Sequence, residues 1–253
     1  MSAEARKLAL LIAIGVIAIG ATAAQDPIAQ ALDYHAFADT RALFGVSNFW
    51  NVMSNLPFLI VGWIGLRALA HVRERAFVAE VRAAYWLFFA SAVLIALGSG
   101  YYHLAPGNQA LVWDRLPMTI GFMAFFSIVV AEHIRPVYGA RLLYLLIVAG
   151  IATVIYWHVT EEAGRGDLRP YILVQFLPIL LTPVILVLYR SRFTRVGWMW
   201  AVVACYACAK LLELADGWIY AQLNIISGHS LKHALAALGM YCLVIALRAR
   251  RAH

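Results

Sequence analysis

Apolar residues along this chain fall into eight runs near the roughly 20-residue length that spans a bilayer, at about 7–24, 49–70, 83–104, 115–134, 141–159, 170–189, 197–220 and 229–247. Short polar segments separate them, and only the connection at residues 25–47 is long. The pattern predicts an all-α polytopic membrane protein whose seven-transmembrane-helix bundle, residues 25–253, follows an extra hydrophobic helix at 1–24. That first helix reads as a retained anchor, with a signal peptide as the alternative, because Arg6 and Lys7 precede an apolar stretch that ends in Ala21-Thr22-Ala23. No linker, low-complexity tract or internal repeat divides the remainder.

Polar residues inside the runs need partners, since hydrocarbon offers none. Asn48, Asn51 and Asn55 recur at i, i+3 and i+7 with Ser54 beside them, so this amide stripe should face other helices through hydrogen bonds. Lys210 and Glu213 share a face at i,i+3 and read as a buried ion pair, with Asp216 a further three residues on. Lys232, the arginines at the chain ends and the scattered tryptophans read as interfacial anchors.

Composition agrees with the pattern: 64% of the residues are hydrophobic and 13% charged, against about 25% charged in soluble domains. The net charge of +7 is distributed by loop. Fourteen of the 20 basic residues fall on one side, among them Arg67, Arg73, Arg75 and Arg82, and four, Arg41, Arg115, Arg165 and Arg169, on the other. Positive charge marks the cytoplasmic side, so both termini are expected there, and nucleic acid is not an expected partner. The three cysteines, Cys205, Cys208 and Cys242, have neither disulfide-framework nor zinc-ribbon spacing and read as buried apolar residues.

The candidate chemistry gathers at helix ends on the less basic, extracytoplasmic side. Ser99 and His103 lie in GSGYYH, Asp114 in VWDRLPM, His229 and His233 in GHSLKH. Each i,i+4 pair occupies one helical face, and Asp114 is expected at the start of its helix. Three neutral imidazoles that leave a fourth position open make a catalytic zinc site, and a serine and a carboxylate are the groups its water would use. Bis-histidine haem ligation is a rival that leaves Ser99, Asp114 and one histidine unused. The 25–47 segment, with Asp26, Asp33, His35, Asp39 and Arg41, could cap the bundle or hold a cation.

At these residues the sequence resembles the alkaline ceramidases, within a wider family of seven-helix membrane hydrolases that includes the adiponectin receptors. The resemblance rests on S-x3-H followed by Asp eleven residues later, on H-x3-H near the C-terminus, and on N-x-x-S-N at Asn51, Ser54 and Asn55. It implies zinc on His103, His229 and His233, with Asp114 holding and deprotonating the water and Ser99 stabilising the oxyanion. The implied substrate is an N-acyl, ceramide-like membrane lipid, cleaved to a fatty acid and a sphingoid-type amine. Two departures stand out: Asn48 replaces an acidic residue that helps the family bind Ca2+, which puts calcium dependence in doubt, and the first helix is extra. The alternative is a lipid-responsive receptor or scaffold with structural zinc; a transporter would need repeats that the chain lacks.

Overall fold

The computed structural model describes residues 1–72 and 76–253, so Arg73 and Arg75 of the basic side lie outside the described residues. Among the described residues ten α-helices follow in order: α1 (Ala3–Ala23), α2 (Phe49–Met53), α3 (Leu56–His71), α4 (Arg82–Leu104), α5 (Asn108–His133), α6 (Pro136–Glu162), α7 (Arg169–Leu188), α8 (Gly197–Leu214), α9 (Asp216–Leu223) and α10 (Gly228–Ala249). Taking α2 and α3 together, eight helical segments among the described residues are long and apolar enough to cross a membrane. The chain is a polytopic helical membrane protein.

The bundle closes on itself: α10 packs on α3, α3 on α4, α4 on α5, α5 on α6 and α7, α7 on α8, and α8 back on α10. The extra helix α1 lies outside this ring along α7, where Lys7 stands 5.0 Å from the centre of the Tyr189 ring. Tyr85, Phe89, Ile128, Leu243 and Leu247 fill the core at one end of the bundle. There Arg250, just past α10, is buried against Glu132 (Nη2 to Oε1, 2.8 Å) and donates to the Ala76 carbonyl, 2.7 Å. The reading of Arg250 as an exposed anchor is therefore corrected, because a carboxylate from α5 neutralises it inside the protein.

Two departures of the helix boundaries from the hydropathy pattern bear on the site. Helix α5 begins at Asn108, not at Asp114, because Asn108 and Gln109 continue the helix as polar residues. Asp114 thus sits well over a turn inside α5, and Arg115, counted above with an outer loop, is buried within the same helix. The run at 197–220 is broken at Ala215, so Asp216 opens α9 and does not continue the Lys210–Glu213 face.

Candidate metal centre and cavity

The 25–47 segment and α2 organise one end of the bundle. Asn48, in left-handed conformation at φ 48°, stands at the N-terminus of α2 and donates to the His103 carbonyl, 2.9 Å. Asn51 donates to the Asp39 carbonyl (3.0 Å) and accepts from the Ser230 hydroxyl (2.9 Å), while Asn55 donates back to the Asn51 carbonyl (2.8 Å). Asn48 and Asn51 thus bond across elements, as expected of polar groups in a span, whereas Asn55 bonds only within its own segment. In the same segment the Arg41 guanidinium grips Asp39 at both oxygens, 2.8 and 2.7 Å, and holds that carboxyl below its usual pKa.

Three rings from two helices meet beneath this segment. His103 lies in the last turn of α4, and His229 and His233 occupy successive turns at the start of α10. Their ring centroids form a nearly equilateral triangle, 4.9 Å from His103 to His229, 5.0 Å from His103 to His233 and 4.9 Å from His229 to His233. All three are buried, and one ligand nitrogen from each lies within 4.8 Å of the others. Phe37, from the 25–47 segment, covers the triangle at 4.7 Å from the His103 ring and 4.5 Å from the His229 ring.

The arrangement fits a metal ion. The Nε2 atoms of His103 and His229 are 3.3 Å apart, the edge of about 3.3 Å that a tetrahedron with Zn–N bonds of about 2.0–2.1 Å requires. Nδ1 of His233 is 2.8 Å from the Ser54 hydroxyl, which itself donates to the Asn51 carbonyl at 3.1 Å. With its proton given away, that hydroxyl accepts from Nδ1–H and leaves the Nε2 lone pair of His233 free, as outer-shell partners of metal-ligating histidines do. Among the described residues these three histidines form the one such cluster, and the Asp114 carboxylate is not part of it.

Ser99, Asp114 and His233 all line a cavity of about 360 Å³, and the Ser99 hydroxyl neighbours the Asp114 carboxylate. Gly98 makes this meeting of α4 and α5 possible, since a Cβ there would overlap the Trp113 carbonyl. The cavity continues between α3, α4, α5, α7, α8 and α10 along Phe58, Phe88, Ile95, Phe125 and Met240, so it is polar at the histidine end and apolar beyond.

Two residues at this end had other assignments in the sequence. Lys232 is not an interfacial anchor: its ammonium pairs with Glu213, which also takes Lys210, and the side chain lines the cavity. The Lys210–Glu213 pair is present, extended to three charges by a helix the spacing could not place. Asp216, read only as the next acidic position, accepts from the backbone N–H of His229 at 2.6 Å and of Ala38 at 3.0 Å, tying α10 to the covering segment. An aspartate ahead of the helix that opens with H-x3-H was the available signal. His35, from the same covering segment, bonds Tyr102 and Asn108, each at 2.8 Å.

Comparison with known proteins adds a family. The family model described as Ceramidase matches residues 42–190, more than half of the chain, a stretch that includes Asn51, Ser54, Ser99, His103 and Asp114 and ends before His229. No curated protein matches the chain.

Proposed function

The chain belongs to the ceramidase family, and we propose that it is a zinc-dependent intramembrane hydrolase of lipid amides, most simply of ceramide-like N-acyl lipids. The observation that carries this reading is the convergence of three imidazoles, one of which, His233, shares the wall of a largely apolar cavity with Ser99 and Asp114. Amide and water are converted to a fatty acid and an amine, and the apolar part of the cavity suits the chains while the amide reaches the polar end.

His103, His229 and His233 would hold the ion. Zinc bound there supplies Lewis acidity toward the amide carbonyl and lowers the pKa of water to about 7. Asp114 orients the attacking water, takes its proton and returns it to the departing amine nitrogen. Ser99 donates its hydroxyl hydrogen to the carbonyl oxygen as negative charge develops. Phe37 shields the histidine end from bulk solvent, which strengthens each of these interactions. Three histidine ligands, with Asp114 outside the cluster, favour a catalytic over a structural zinc, since structural sites use four protein ligands. The basic-residue distribution supports cytoplasmic termini and a site toward the opposite side.

The test is fatty-acid release by the detergent-purified protein from N-acyl sphingoid lipids and matched ester lipids. Amide cleavage that a strong chelator abolishes and added zinc restores is expected; zinc retention with no cleavage of any N-acyl lipid would contradict the proposal.

A further inference from the structure

Arg115 follows Asp114 in α5, lines the same cavity and is only 5% exposed. Its guanidinium is stacked among aromatic rings, 4.1 Å from the Trp157 centroid and 4.6 Å from that of Tyr171. One edge is satisfied: Nη2 donates to Gln30 Oε1 at 2.5 Å. The other is not, for Nη1 is buried without a hydrogen-bond partner. Among the described residues no carboxylate forms an ion pair with it.

Stacking serves the faces of a guanidinium and leaves its N–H edges unmet. A buried cation without a counter-charge is costly, and ionisable groups in a membrane span usually mark a substrate path. Nearby, Lys210 and Lys232 share the single carboxylate of Glu213, and an ammonium has three donors. The cavity wall therefore carries three cations, Arg115, Lys210 and Lys232, against two carboxylates, Asp114 and Glu213. Under the hydrolase reading Asp114 is committed to the water.

We propose that the polar end of the cavity contains an anion subsite, built from Arg115 Nη1 and Lys232, that selects N-acyl lipids with an acidic head group, a phosphate or a carboxylate on the amine half of the molecule. This rests on the hydrolase reading for the identity of the scissile bond, but the subsite itself stands on the unmatched guanidinium edge. An acidic group supplies the acceptor and the charge that Arg115 Nη1 lacks, as a charge-assisted hydrogen bond. A neutral head group leaves the charge uncompensated, so discrimination between the two is built into the wall.

The experiment compares an N-acyl sphingoid base with its 1-phosphate ester and with an N-acyl lipid bearing a head-group carboxylate, all of one acyl length, in wild type, Arg115→Met, Arg115→Lys and Lys232→Gln, each checked for zinc content and thermal unfolding. Wild type should favour at least one acidic lipid over the neutral one by ten-fold or more in kcat/KM. Arg115→Met should cut that ratio at least ten-fold, Arg115→Lys should restore part of it, and Lys232→Gln should lower it independently. Equal or faster cleavage of the neutral lipid by wild type, or an equal fall for all lipids in Arg115→Met, would overturn the subsite. Binding of the same lipids to Asp114→Ala protein separates the two readings. Acid-selective binding lost in the Arg115→Met, Asp114→Ala double variant, with no turnover by wild type, would remove the hydrolase and keep the subsite; equal binding of neutral and acidic lipids would remove the subsite whatever is hydrolysed.

Discussion

The carbonyl of Trp113 lies against the backbone of Gly98, with no room for a side chain between them. Pro117, four residues on, has no N–H to give that carbonyl, so α5 is free to present it to α4 at close range. The next residue on each helix is a candidate catalytic group, Ser99 after Gly98 and Asp114 after Trp113. The contact thus sets the distance between the serine and the aspartate.

Gly98→Ala must push the two helices apart against backbone, not against a side chain that can rotate. Overpacking of this kind costs about 1–3 kcal/mol, and misplacement of reacting groups by about 1 Å can cost about 100-fold in rate. The expected result is a modest fall in thermal stability in detergent with kcat reduced far more, while zinc content stays near wild type because His229 and His233 lie on α10 and His103 is more than a turn from Gly98.

Ser54→Ala removes the acceptor of the His233 Nδ1–H bond without touching a ligand nitrogen. Outer-shell partners of this type are worth about 10–100-fold in metal affinity. Zinc affinity measured by competition with a chromogenic chelator should fall by that amount, with the far-ultraviolet circular dichroism unchanged.

Asp216→Ala deletes two charge-assisted bonds, to His229 N–H and Ala38 N–H. At about 1.5–3 kcal/mol for a hydrogen bond to a charged group, stability should fall by about 3 kcal/mol or more, and the 25–47 segment should become the first site of limited proteolysis. Asp216→Asn, which keeps one acceptor oxygen, should lose less.

At the opposite end of the bundle, Glu132→Ala leaves Arg250 buried and unpaired, a change worth about 3–5 kcal/mol. Replacing both residues with apolar ones of similar size, Glu132→Leu with Arg250→Met, should recover most of that loss. Thermal unfolding of the single and double variants checks this, and fatty-acid release by the double variant should stay close to wild type because neither residue lines the cavity.

Much of this organisation was legible in the residues. Hydropathy located every long helix because a span must be apolar over a fixed length, and i,i+4 spacing brought His229 and His233 to one face because helical geometry is local. What escaped the sequence depends on partners far along the chain. Arg115 looked like a loop charge because its surroundings come from Gln30, Trp157 and Tyr171. Lys232 looked like an anchor because Glu213 lies on another helix, and Arg250 because Glu132 does. The start of α5 was placed late because Asn108, Asp114 and Arg115 lower hydropathy, although each is polar toward the protein interior: Asn108 meets His35, and the other two line the cavity. Polar residues that face inward are invisible to a scale that measures transfer to lipid.

The most direct test of the account measures zinc per chain and N-acyl lipid cleavage together in one detergent preparation of wild type, His229→Ala and Asp114→Ala. The account predicts one zinc and amide turnover for wild type, loss of both in His229→Ala, and retained zinc with turnover reduced by at least 100-fold in Asp114→Ala. Full zinc content in His229→Ala, or undiminished amide cleavage in Asp114→Ala, would contradict it.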